Sequence, residues 1–499
     1  MTLSWAFSFL FLVLGAAFWW ILDTRQRKLL PPGPRGLPIV GSLLSLGSLP
    51  HRTFHELSKK YGPIMSLRMG SVPAIVVSSP EAAQLFLKTH DSVFAARPQM
   101  EAVAHMSYGN NGISFTNGTY WRHVRKFVVQ ELLAPAKVNS FRGMRRDEVG
   151  LVVEDIKKAA VAGEVVNVSD KVGGLIENMT FRFLLGRSKD DRFDLKGIMT
   201  EAFTLAGQFN LADFVPSLKP LDLQGLSRKY EATSKKLDAM LELIIEEHEQ
   251  NLNNGTLKNN RDIVDEMISL SRNNASINHQ ELAKLIDRPS IKSIMIDIIT
   301  AAIDTSFTSI EWILTELMRH PGAMKKCQEE LTSIVGLDRM VEETDLPKLE
   351  YLYMVIREGM RLHPIVPLLG PHEAKEDIVV NGYHIPQKSR IIVNAWAIAR
   401  DSKVWGDNAL EFIPERFSES KIDLRGRDFE LLPFGSGRRG CPGMQLGLLS
   451  VQLVLAQLLH CFDWELPHGK SAEDLDMTEQ FGLTIPRIEH LLLVPKIRI

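Results

Sequence analysis

Pro433–Gly443 reads PFGSGRRGCPG, which sets Phe434, Gly437, Arg439, Cys441 and Gly443 in the spacing F-x-x-G-x-R-x-C-x-G. A cysteine carried this way is suited to offering a thiolate to an iron. The glycines at 435, 437, 440 and 443 let the backbone turn tightly beneath a flat ligand and aim N–H groups at sulfur. Such hydrogen bonds tune a haem thiolate, and the thiolate pushes electron density toward O–O cleavage. Arg439 adds a fixed cation for a haem propionate. Two other readings compete. A lone cysteine is usually a small buried hydrophobe. Gly435–Gly440 also fits GxGxxG, with Asp463 about twenty residues further on, as a dinucleotide site would want. Fewer than sixty residues follow the loop, however, too few for the rest of a doubly wound domain. The preceding RGRDFELL is also a poor buried strand.

Outward from the loop, the chain has 499 residues, 45% of them hydrophobic, enough to bury a large core. A formal net charge of -2 argues against nucleic acid as the main partner. Three cysteines, at 327, 441 and 461, imply no disulfide framework. From Leu3 to Leu22 there is no charge, and about twenty residues at ~1.5 Å rise span a ~30 Å hydrocarbon layer. A cleaved signal peptide is the competing reading, but the apolar run continues through Phe18-Trp19-Trp20 and no basic segment precedes it. Arg25, Arg27 and Lys28 follow at once, which places the downstream chain on the cytosolic side. Next comes PPGPRGLP at 31–38, stiff and hostile to helix. The expected organisation is a transmembrane signal-anchor over 1–24, a basic and proline-rich hinge over 25–50 and a catalytic domain over 51–499.

Periodicity predicts a short helix at 53–61 and a strand pair, 64–69 and 74–79, around Gly70-Ser71. From about 117 to 320 the pattern is overwhelmingly helical. It ends in a long apolar helix from Pro289 to Arg319 that His320-Pro321-Gly322 stops. Strand signals return at 378–385, 390–393 and 491–495. The Asn-rich stretch 251–278 reads as a surface loop around a short helix. The fold class is mainly α with a smaller β-rich region.

Four constellations carry chemistry. Within the long helix, Asp304-Thr305 interrupts an apolar stretch. A helical Thr commonly bonds the carbonyl four residues back, but a buried carboxylate is costly unless it is paired or relays protons. Glu358 and Arg361 share a helix face as E-x-x-R, and PERF at 414–417 supplies Arg416. Trp121 and Arg125 in WRHVR lie four apart, a pattern that also suits a surface helix. His372 follows Pro371, where a turn residue is the plain reading. Cys327 and Cys461 carry no supporting motif.

The cysteine loop resembles that of the cytochrome P450 monooxygenases, and the resemblance runs over essentially the whole chain after the anchor. PPGPRGLPIVG, WAIARD, FIPERF, GRRGCPG and FGLTIPR are most similar to the microsomal enzymes of plant specialised metabolism. That resemblance implies the P450 fold, haem b with Cys441 as axial thiolate, and Phe434 and Gly443 in the haem loop. It makes Trp121, Arg125, His372 and Arg439 propionate contacts and assigns proton delivery during oxygen activation to Asp304 and Thr305. Ala302 stands where the family's motif usually has glycine. Glu358, Arg361 and Arg416 become a buried structural triad. The implied partners are O2, an NADPH-dependent diflavin reductase docking near Arg122, Lys126 and Arg438, a lipophilic small molecule and the endoplasmic reticulum membrane.

Two alternatives stay open: a reductase-independent haem-thiolate isomerase or dehydratase, which needs no Asp/Thr pair, and a non-catalytic haem-binding sensor. By the same resemblance the substrate is lined by 100–110, 200–215, 297–305, 365–370 and 481–484. These stretches hold no Arg or Lys, so a neutral, largely hydrocarbon substrate such as a terpenoid is expected, with a neutral phenolic as second choice.

Overall fold

The computed structural model describes residues 29–109, 111–187, 195–255, 261–272 and 285–499. The expected anchor lies outside them. The chain divides into two compact units. One is formed by the chain up to Pro98 with Leu211–Leu221 and Leu368–Ile398; the other by Gln99–Asn210, Asp222–Pro367 and Ala399–Ile499.

In the first unit, runs of β-branched and apolar residues make a mixed sheet. Strands β1 (Ile64–Met69) and β2 (Val72–Val77) pair antiparallel, Ile64 opposite Val77 and Met69 opposite Val72. The second strand starts two residues before its predicted position because Pro73 is accommodated opposite Arg68. β2 then pairs parallel with β7 (Arg390–Val393), Ala74 opposite Arg390, and β7 pairs antiparallel with β4 (His372–Glu373). A separate hairpin joins β5 (Ile378–Val380) to β6 (Tyr383–Ile385). Phe54, from the helix Pro50–Tyr61, buries itself with Met65, Leu67, Ala74, Val76 and Ile392. The stiff proline-rich segment docks on β1, where the N–H of Ser66 donates to Pro32 O at 2.8 Å and its hydroxyl to Pro31 O at 2.6 Å.

The second unit is mostly helical, with a small sheet of β3 (Val166–Asn167), β9 (Leu492–Ile497) and β8 (Phe462–Glu465). Its axis is the helix Arg288–Arg319, within one residue of the predicted span. Asp287 caps it by accepting from the N–H of Ser290 at 2.9 Å, and Pro289 occupies the first turn. This long helix joins two hydrophobic cores. Its first half sends Ile291, Ile294, Met295, Ile298 and Ile299 into one core, shared with the helices Val168–Leu185 and Leu226–Asn253. Its second half sends Ile310, Ile313, Leu314 and Leu317 into another, shared with the helices Glu350–Leu362 and Met444–Cys461. Contact with Glu350–Leu362 is close: a Cβ on Gly359 would sit 2.4 Å from Ile313 Cγ1. Between the two cores, Ala301 is exposed and Ala302–Thr305 are only half-buried.

Within 251–278 the expected short helix is Ile263–Arg272. Its Ile263, Val264, Met267 and Ile268 are buried; their three- and four-residue spacing makes one face part of the core. Arg288–Arg319 and Met444–Cys461 are long and apolar enough to cross a membrane, but both are core helices of this unit.

Candidate active site

The cysteine loop hangs between the buried segment ending at Leu432 and the helix Met444–Cys461. Gly435 and Gly437 adopt φ of 67°, which an L side chain rarely takes, whereas Gly440 and Gly443 do not. Two of the four glycines therefore make the turn, and the N–H of Cys441 closes it by donating to Phe434 O at 2.8 Å. Cys441 keeps accessible surface, while Cys327 and Cys461 are buried. Protein atoms around the Cys441 sulfur raise the thiol's pKa, and the Gly443 N–H and the Arg125 guanidinium oppose that shift. Cys327 has the opposite surroundings: burial, Glu330 and Glu415 all raise its pKa. Burial pushes Cys461 up to about 11.

Arg125 and Trp121 lie on the helix Gly118–Phe127, and both meet the loop. Arg125 Nη2 donates to Gly440 O. Arg439 stacks its guanidinium 3.7 Å from the Trp121 ring centroid, and Arg125 lies 5.8 Å from the same ring. Desolvation lowers the pKa of Arg125, against the pull of Cys441. The Trp121 indole N–H goes to Ile113 O at 3.1 Å, and Arg439 Nη2 to Thr116 O at 2.6 Å and Asn117 Oδ1 at 2.9 Å. Trp121, Arg125, Phe434, Arg439, Cys441 and Gly443 thus come together. His372 belongs to the first unit, buried in β4 with Nδ1 2.9 Å from Phe94 O.

The long helix closes on this loop at Gly447, where a Cβ would lie 4.0 Å from both Phe434 Cε1 and Ser306 Oγ. Just before Ser306, Thr305 Oγ1 donates to Ala301 O at 2.6 Å, the plain helical arrangement. Asp304 turns elsewhere: its Oδ2 accepts from the hydroxyl of Thr484. Desolvation raises the Asp304 pKa, and the Thr484 hydrogen bond partly offsets it. Nothing local in the sequence pointed to Thr484. Asp297, two turns earlier on the same helix, accepts from the N–H groups of Ile113 and Ser114 at 2.6 and 3.1 Å. Gly112 lets them approach, since a Cβ there would stand 2.1 Å from Asp297 Oδ2. A carboxylate one face-repeat before Asp304 was a legible signal, passed over in the sequence.

Behind the loop, Glu358 and Arg361 are fully buried. Arg361 Nε and Nη2 reach the two Glu358 oxygens at 2.7 and 2.8 Å, and Nη1 reaches Ala399 O and Ala409 O at 2.7 Å each. Arg416 Nε meets Glu358 Oε1 at 2.8 Å, and the Ile413 N–H meets the same oxygen at 2.9 Å. The expected triad is formed.

These residues fit a haem. One accessible cysteine sits in a glycine turn beside two guanidinium groups, and the facing helix leaves Ala301 exposed between two cores. Comparison with known proteins decides the family: residues 31–492 match the family model described as Cytochrome P450. The chain belongs to the cytochrome P450 family. It is 65% identical over 499 residues, 99% of each chain, to Cytochrome P450 CYP736A12 of Panax ginseng. It is also 41% identical to the premnaspirodiene oxygenase of Hyoscyamus muticus, covering 98% of this chain and 96% of that one. Identity to the flavonoid 3'-monooxygenase of Arabidopsis thaliana is 40%, covering 96% and 93%. This P450 is accordingly a monooxygenase that uses haem b with a cysteine thiolate as axial ligand, O2, a redox partner and a lipophilic substrate.

Proposed function

We propose that this P450 is an endoplasmic-reticulum enzyme, anchored once through residues 1–24, that oxidises a neutral, largely hydrocarbon molecule with electrons from an NADPH-dependent diflavin reductase. In this reading residues 25–50 connect the anchor to a catalytic domain over 51–499 on the cytosolic face. The observation that carries it is the setting of Cys441: accessible where the other two cysteines are buried, and beside a cation where Cys327 is beside carboxylates. Cys441 would hold the haem iron, with Phe434 and Gly443 in the loop and Trp121, Arg125, Arg439 and His372 serving the propionates. When bound, the haem supplies O2 activation and oxygen transfer.

The chain's own residues supply the rest. The Gly443 N–H and Arg125 favour the thiolate form of Cys441 against its desolvation. Asp304 and Thr305 handle protons at the break between the two cores, which exclude bulk water on either side. An isomerase or dehydratase would need no such pair, which disfavours that reading. A sensor would not consume NADPH in response to a substrate. Arg122, Lys126 and Arg438 are exposed and offer positive charge for reductase docking.

For the substrate, the relatives do not choose: at near-equal identity one is named for a diene and others for a flavonoid. The absence of Arg and Lys from the five lining stretches favours a terpenoid over an anion, whose desolvation costs several kcal/mol.

Three measurements test this reading. Reduced full-length protein under carbon monoxide should give the red-shifted Soret band of thiolate-ligated haem, and Cys441→Ala should lose it. Retention of band and turnover in that variant would refute the ligand assignment. Deleting residues 2–22 should shift much of the protein from the microsomal to the soluble fraction with its haem spectrum intact. Loss of haem on truncation would contradict the division between anchor and catalytic domain. In substrate-binding difference spectra a neutral terpene should bind more tightly than its carboxylated counterpart, and the reverse order would overturn the substrate class.

A further inference from the structure

The segment Thr478–Ile488 folds back on itself. Gln480 N–H donates to Pro486 O at 2.9 Å, Ile488 N–H to Thr478 O at 3.1 Å, and Glu479 lies opposite Arg487 in an isolated antiparallel backbone bridge. Its tip is fastened to the long helix twice. Thr484 donates its hydroxyl to Asp304 Oδ2, and Ile485 O accepts from Trp312 Nε1 at 2.8 Å. Those two helix positions are eight residues apart, about 12 Å along the axis. A third bond, Ile485 N–H to Ile365 O at 3.0 Å, fixes the same residue from the bend after the E-x-x-R helix. Trp312 is itself immobilised: it is fully buried and stacks on His363 with ring centroids 4.1 Å apart and planes 5° apart.

We infer that Thr484 is a positioning residue of the monooxygenase reaction: its hydroxyl, clamped by the Trp312 and Ile365 bonds, holds the Asp304 carboxyl in one orientation at the break between the two cores. The inference rests on the proposed proton-handling role of Asp304. Three facts give it content. Thr484 is buried, with only 4% of its surface exposed, so water does not compete for the bond. Among the described residues, no other group donates to Asp304 and no charged side chain acts on it. Finally, the hydroxyl stabilises the ionised carboxyl, so it sets both where the carboxylate points and how readily it gives up its proton. Glu358 has guanidinium groups on its carboxylate, whereas Asp304 has a neutral hydroxyl.

The test uses full-length, haem-loaded protein, with loading read from the carbon monoxide spectrum. Infrared difference spectra through a pH titration identify the Asp304 carboxylic acid band as the one that Asp304→Asn removes. Thr484→Val keeps shape but removes the donor, so the band's midpoint should move to higher pH; Thr484→Ser should return it. In parallel, hydrogen peroxide released per NADPH is measured with a microsomal diflavin reductase and O2. Thr484→Val should raise it toward the Asp304→Asn level, and Thr484→Ser should restore it. Should the valine variant fail to load haem, Thr484→Ala is read the same way. A midpoint and a peroxide ratio both unchanged in Thr484→Val overturn the inference. An unchanged ratio in Asp304→Asn itself overturns the proton role of Asp304, and positioning with it; the band then still reports whether the hydrogen bond existed.

Discussion

Glu358 and Asp304 are both carboxylates on helices of the second unit, one fully buried and one half-buried, and they are held in opposite ways. Glu358 has two guanidinium groups and a backbone N–H on its oxygens, and its partner Arg361 spends its remaining donors on the carbonyls of Ala399, Ala409 and Glu411. Both Glu358 oxygens are hydrogen-bonded there, and the result ties the E-x-x-R helix to the chain that leads into the cysteine loop. Asp304 has one neutral hydroxyl. Asp297 lies between these extremes, with two backbone N–H donors and the Ser114 hydroxyl, and among the described residues no cation bonded to it. A carboxylate surrounded by cations is a fastener, because removing its charge costs too much. One held by a single hydroxyl has no fixed counter-charge, and desolvation shifts it toward its protonated form.

Breaking the first arrangement should have the larger effect. Arg361→Met removes a fully buried cation, leaves Glu358 Oε2 without its donor and takes a donor from each of three carbonyls, at a cost of roughly 3–5 kcal/mol. The expected outcome is a large fall in Tm together with loss of the carbon monoxide band, since the chain before the cysteine loop would no longer be fixed. A Tm near that of the unaltered protein would mean the triad is not the fastener its geometry implies.

The second arrangement is sharpened by a smaller change. Thr305→Ala deletes a hydroxyl that is bonded to its own helix, so Tm and the haem spectrum should stay close to those of the parent. Product formed per NADPH consumed should fall as peroxide rises, because proton delivery is misdirected. An unchanged ratio would remove Thr305 from the proton path and leave Asp304 to act alone. Acidity adds a check of sign. Desolvation raises the Asp304 pKa, so the folded protein keeps that proton to higher pH than the unfolded chain does. The stability this contributes is present at low pH and lost as pH rises through the folded value, the reverse of an ordinary salt-bridged carboxylate.

Much of this was legible in the sequence, and what was legible was local. The long helix was predicted to within one residue, because proline, cap and apolar run lie next to one another in the chain. The cysteine loop declared itself by spacing, and PERF announced a second arginine for the E-x-x-R face. Strand β2 was misplaced by two residues, since nothing nearby says which side of Pro73 pairs with β1. The short helix expected within the polar stretch 251–278 is Ile263–Arg272, and its own three- and four-residue spacing buries one face.

The sequence by itself determined which residues are candidates for chemistry: a thiol in a glycine turn, an acid and an alcohol inside an apolar helix, and cations near an indole. Only the tertiary structure decided what each of them touches. Trp121 and Arg439 give their donors to the carbonyls of Ile113 and Thr116, and Asp304 meets a hydroxyl 180 residues away. The physical reason is range. Helix periodicity, caps and turns are set by neighbours within a few residues, whereas the partner of a buried polar group is chosen by how the cores pack, and the chain carries no local mark of that choice.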